Sequence, residues 1–150
     1  STPKRHSGVD RRRTSRYDRF AFNRERAKVA ETSIQPLVAA TLDTTMKVRG
    51  RDGGKTIGTL HAFMVHKRSG RAMYAVLSLG GFLGVGKHFY AVPIQLLAYD
   101  LAADAYVASV EPKTLEGGPN WSGAAPDFDQ AYADRLASYY GAEKQDLAVG

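Results

Sequence analysis

The stretch "LSLGGFLGVGKHFYAVP", residues 77–93, carries Gly81, Gly86 and Lys87 at the spacing of a phosphate-binding loop, up to that loop's last position. Such a loop needs a strand before it and a helix opening at Lys-Ser/Thr. Amides at the helix N-terminus cradle the phosphates there, and the hydroxyl holds magnesium. Here His88 stands at the hydroxyl position, and imidazole replaces an oxygen ligand to magnesium poorly. The residues that follow, "HFYAVP", alternate as a strand does and soon reach Pro93, so the spacing predicts no helix. The stretch therefore reads as a turn between two strands. Gly80, Gly81, Gly84 and Gly86 supply its backbone freedom, and Pro93 ends the second strand because it has no amide to donate.

Working outward, short apolar runs alternate with turn residues from Thr45 onward. Met46–Arg49 reads as a first strand, followed by a turn with Gly53. Thr56–His66 is a second strand containing Gly58, and Arg71–Leu79 a third. In the third, Met73, Ala75, Leu77 and Leu79 share one face while Tyr74 and Val76 share the other, which predicts a central strand covered on both sides. His88–Val92 is the fourth, and "IQLLAYD" with "AYVASVE" forms a hairpin around Asp100–Asp104. These strands, with no helix between them, predict a mainly β fold, a small barrel of about six strands. Residues 117–128 read as a loop. A C-terminal helix follows, with Phe128, Ala131, Tyr132, Leu136 and Tyr139 as its apolar stripe, Asp127 as cap and Gly141 as stop. A barrel of about 65 residues buries only roughly 60% of its unfolded surface, so the helix is expected to pack on it, or a second copy to dock. The chain divides into a basic arm and linker (1–44), the barrel (45–119), and a loop with its helix (120–150).

Several elements in order resemble the PRC-barrel family, the small β-barrel named after the cytoplasmic domain of the reaction-centre H subunit of purple bacteria. They are Asp52-Gly53, Ile57-Gly58, Gly70 before Tyr74-Ala75-Val76-Leu77, the run Gly80 to Gly86, and Ala91-Val92-Pro93. The resemblance runs from about Met46 to Leu115. Leu115-Glu116-Gly117-Gly118-Pro119 is similar to the segment that often follows such barrels. The matching residues are structural ones, so what the resemblance implies is the fold, in a bacterial host. Family barrels also occur in reaction-centre H subunits and in small-subunit rRNA maturation factors, which implies two further roles beside protein interaction.

The 150-residue chain has no cysteine, which removes disulfides and thiolate metal sites. No apolar run approaches the roughly 20 residues of a membrane helix, and no signal peptide is evident, so a cytoplasmic protein is expected. Of its 21 Lys and Arg and 15 Asp and Glu, ten and three fall in residues 1–30. The arm therefore carries +7, and the remaining eleven bases and twelve acids leave −1 elsewhere. With almost no apolar content in its first half, the arm is expected to be largely disordered when alone. Arg11, Arg12, Arg13, Arg16, Arg19, Arg24 and Arg26, interleaved with Tyr17, Phe20 and Phe22, suit phosphate contacts and base stacking. They suit an acidic protein or an anionic membrane surface as well.

No catalytic constellation, cofactor site or metal site emerges. His61 and His66 are an odd number apart on one strand and point to opposite faces. Trp121 reads as a plug at the barrel's end. The expectation is a non-enzymatic protein-interaction or adaptor module that self-associates, as a homodimer. It docks a protein partner through Phe82, Leu83, Lys87, His88 and Tyr90. The alternatives are an RNA- or ribosome-associated factor using the arm, and an accessory protein related to the reaction-centre H subunit.

Overall fold

The alternation of residues 56–79 forms an antiparallel pair at the heart of a seven-stranded sheet. The computed structural model describes residues 34–52, 54–79 and 87–150, and Pro36–Gly150 form one compact unit. The strands are β1 (Leu37–Arg49), β2 (Thr56–His66), β3 (Ala72–Leu79), β4 (Phe89–Pro93), β5 (Leu97–Asp100), β6 (Ala105–Ala108) and β7 (Asn120–Trp121), in the order β5-β6-β1-β2-β3-β4-β7. All described pairings are antiparallel except β1 with β6, where Val48 lies beside Tyr106 in a parallel ladder.

The sheet is curled but not closed. Among the described residues no ladder joins β5 to β7 or to β4. Yet β4 runs into β5 through a 3-10 turn of three residues, Ile94–Leu96, while five strand intervals separate them in the sheet. A flat sheet would hold them about 24 Å apart, at about 4.8 Å per interval. So short a link spans about half of that, and the sheet has to roll so that its two sides approach at this corner.

β3 is central, as its two apolar faces require. Ala75 and Leu77 pack inside the curl with Val48, Leu60, Val92, Ala108 and Leu115. Tyr74 and Val76 face the other way, with Ala62, Met64 and Ala91, towards the C-terminal region. Met73 sides with Tyr74 rather than with Ala75 and Leu77. Gly58 is where β2 and β3 approach most closely: a Cβ there would run into the Ser78 carbonyl oxygen and come within 2.9 Å of the Leu79 side chain.

Two helices complete the unit, α1 (Pro112–Glu116) and α2 (Gln130–Tyr140). Proline suits the first turn of α1, where its missing amide costs no bond. In α2 the side chain of Asp129 accepts from the Tyr132 amide at 2.9 Å, and left-handed Gly141 closes the other end. Tyr132, Ala133, Leu136 and Ala137 are buried, and Phe128 just before the helix packs with them on the sheet. Past Gly141 the chain folds back. Leu147 is buried, its amide accepted by Gln130 Oε1 at 2.9 Å and its carbonyl held at 2.7 Å by His66 Nε2.

Several expectations need correction. β1 begins at Leu37, inside the segment read as a linker, because it pairs with β2 while burying only Leu37 over its first residues, so no alternation marks it. Seven strands replace about six, and the additional one, β7, lies in the segment read as a loop, held by Phe89 and Tyr90. "IQL" is a 3-10 turn, and the hairpin's second arm gives way to α1 after Ala108. The cap of α2 is Asp129 rather than Asp127, and Ala131 and Tyr139 are exposed rather than part of its apolar stripe. The basic arm and the run Gly80 to Gly86 lie outside the described residues.

Candidate functional site

A groove of about 590 Å³ opens where β2 begins, β3 ends and β4 begins. Lys55, Thr56 and Ile57 come from the turn into β2, Leu79 from the end of β3, and His88 and Tyr90 from the start of β4. Pro112 and Glu116 of α1 form the opposite wall. A second hollow of about 570 Å³ shares Lys55, Ile57 and Pro112 with the first and adds Gly50, Arg51, Asp52 and Glu111. The two form one elongated depression across the end of the sheet.

Ile57, Leu79, Tyr90 and Pro112 give it apolar ground, while the bases Lys55, Arg51 and His88 and the acids Asp52, Glu111 and Glu116 line it as well. Arg51 Nη1 lies 3.2 Å from Glu111 Oε1, but both side chains are more than 60% exposed (62% and 63%), so water and salt screen the pair heavily. Its chemical meaning is availability: either partner can exchange the other for a ligand group at small cost.

His88 is held by geometry. Asn120 Nδ2 donates to the Gly118 carbonyl at 2.9 Å, which turns Asn120 Oδ1 towards His88 Nδ1 at 3.1 Å. A carboxamide oxygen only accepts, so Nδ1 carries a proton and donates it to this bond. Asn120 sits in β7 and so fixes His88 through a strand pairing. Behind the groove Tyr139 donates to the Thr114 carbonyl at 2.7 Å, and Gly118 admits the Tyr140 hydroxyl, which an added Cβ would meet at 2.5 Å. Burial pushes the Tyr140 hydroxyl well above its usual range, with Tyr139, Tyr132 and Tyr90 adding to the rise. Burial pushes Tyr132 up to about 12, against a small opposing effect of Arg135. Both hydroxyls stay protonated at neutral pH.

Of the residues expected at a docking surface, His88 and Tyr90 line the groove, and Lys87 is exposed beside them. Phe82 and Leu83 lie outside the described residues, as do Arg11, Arg12, Arg13, Arg16, Arg19, Arg24 and Arg26, and the turn glycines Gly53, Gly80, Gly81, Gly84 and Gly86. After Lys87 and His88 comes β4, not a helix, and Pro93 is its last residue, paired with Tyr74. His61 is exposed, 4.6 Å from the Phe89 ring, while His66 is buried with both ring nitrogens engaged. Trp121 bridges Phe89 and Phe128, at 6.0 and 5.9 Å between ring centroids, and so welds the last third of the chain to the sheet.

Sequence reading missed Lys55, Thr56, Ile57 and the residues of α1. The Glu111-Pro112 pair signals a helix start, but nothing local tells that this helix faces the turn before β2. Among the described residues no group of three or more His, Cys, Asp or Glu could hold a metal ion, and no helix is long and apolar enough to cross a membrane. No curated protein matches the chain. A family of known domains does match it, over residues 44–114, and that family is the PRC-barrel domain.

Proposed function

We propose that this chain, whose residues 44–114 match the PRC-barrel domain, is a non-enzymatic protein-interaction module that docks a protein partner in the groove and self-associates. The observation that carries this reading is the groove's make-up. Apolar ground at Ile57, Leu79, Tyr90 and Pro112 is rimmed by exposed charges of both signs, which suits a peptide segment of mixed charge better than a compact anion. Tyr90 is the natural anchor, since half-buried aromatic residues with a polar tip dominate protein interfaces.

The test is affinity purification of the tagged full chain from its native cells, wild type beside a Lys55→Glu, Tyr90→Ser double variant checked for folding. A protein that co-purifies at both low and high salt and is lost with the double variant is the expected result. Retention of every co-purifying protein by the folded variant would reject the groove as the docking site.

The +7 surplus of residues 1–30 favours a second reading, association with RNA or a ribosomal particle. Phosphate contacts release counterions, so RNA recovery should fall steeply with salt and vanish when residues 1–30 are deleted. RNA binding unchanged by either treatment removes this reading and leaves the first intact.

A further inference from the structure

We propose that the free edge of β1, Leu37–Thr41, pairs antiparallel with the same edge of a second copy of this chain, giving a sheet continuous across a two-fold dimer. The inference rests on the self-association reading and names its surface. β1 is thirteen residues long, but β6 joins it only at Lys47–Arg49. Over Leu37–Thr41 the described residues supply a partner on one side alone, β2. Val38, Ala39, Ala40 and Thr41 are all exposed, so the segment is exposed on both faces, and among the described residues no strand lies along its other edge. Sheets guard such edges with lysine, proline or a bulge, and this segment has none of these before the register shift that follows Thr41.

The ladder phase shows which backbone groups are on offer. Lys67 donates to the Pro36 carbonyl at 3.0 Å, one step along from the Leu37–His66 pair. Bonded pairs alternate in an antiparallel ladder, so Val38 and Ala40 spend their amides and carbonyls on β2, while Leu37, Ala39 and Thr41 turn theirs outward. A two-fold axis at Ala39 sets Ala39 against its own copy and Leu37 against Thr41, and all the outward groups of those residues find partners. Val38 then faces Ala40 at the close, non-bonded positions, where small side chains fit. No charge lies between Leu37 and Thr41, so no like charges meet.

Sedimentation of the full chain tests this with wild type, Ala39→Pro and Ala39→Cys. Proline at 39 removes an outward amide without touching the β2 ladder, and two lost hydrogen bonds per dimer should raise the dimer Kd about 30-fold. The protein has no other cysteine, and bonded pairs place Cα atoms about 5.5 Å apart, so Ala39→Cys should cross-link to its own copy under mild oxidation while Thr44→Cys should not. A wild-type chain that stays monomeric at 100-fold dilution steps up to about 0.1 mM would overturn both this inference and self-association. A dimer whose Kd Ala39→Pro leaves unchanged, with no cross-link through Ala39→Cys, would overturn the β1 edge alone.

Discussion

β3 and the first half of β1 are both regular strands, yet they meet opposite surroundings. β3 is paired on both sides and its residues Met73–Leu77 are buried, whereas Val38–Thr41 is paired on one side and exposed on both faces. Burial of apolar surface stabilises the first, and among the described residues it is backbone hydrogen bonds to β2 that hold the second. Strand geometry is thus shared, while the free energy that maintains it is concentrated in one of them.

The largest effect that could break this contrast is at Leu77, which is fully buried at 0% exposure. Leu77→Ala should cost about 3 kcal/mol in urea unfolding, from lost transfer energy and a cavity inside the curl. Gly58→Ala comes next, at about 2 kcal/mol, because the new methyl overpacks the β2–β3 contact. His66→Ala leaves the Leu147 carbonyl without its donor and should cost about 1.5 kcal/mol. Hydrogen exchange should then accelerate in residues 142–150 and leave β3 protected. A uniform acceleration would show that the C-terminal tail and β3 open as one unit.

Alkali gives a smaller effect. The buried Tyr132 hydroxyl has its pKa raised in the fold, so its contribution is complete below about pH 10 and is lost as pH rises towards about 12. Roughly 1 kcal/mol of this contribution should be gone by pH 11, and Tyr132→Phe should remove that share of the alkaline loss while the share from Tyr140 remains. The smallest effect belongs to β1: Val38→Ser should change monomer stability by less than about 0.5 kcal/mol. A cost near that of Leu77→Ala would mean that this half of β1 is covered, and the contrast would fail.

The same contrast explains what could be read in the sequence. β2, β3 and β4 were legible because alternation reports a buried face, and α2 because its apolar spacing and Gly141 agree. Val38–Thr41 was not, since a run exposed on both faces carries no alternation. The groove was legible only in part. His88 and Tyr90 follow from the glycine-rich turn, but Lys55 meets Pro112 through strand pairings that no local pattern encodes. The burial of His66 was not legible, because the Leu147 carbonyl that it bonds lies 81 residues away.

The parallel pairing of β1 with β6 bears on the order in which the chain assembles. β2, β3 and β4 can form by neighbouring contacts as the chain emerges, but Val48 must wait for Tyr106, and closing so long a loop carries an entropic cost that local turns avoid. The β1–β6 ladder should therefore form after the folding transition state. Val107→Ala should speed unfolding while leaving the folding rate nearly unchanged, and a slowed folding limb would place that ladder in the nucleus instead. The domain would thus fold as an open ribbon first and roll up last, fastened by residues that were far apart during synthesis.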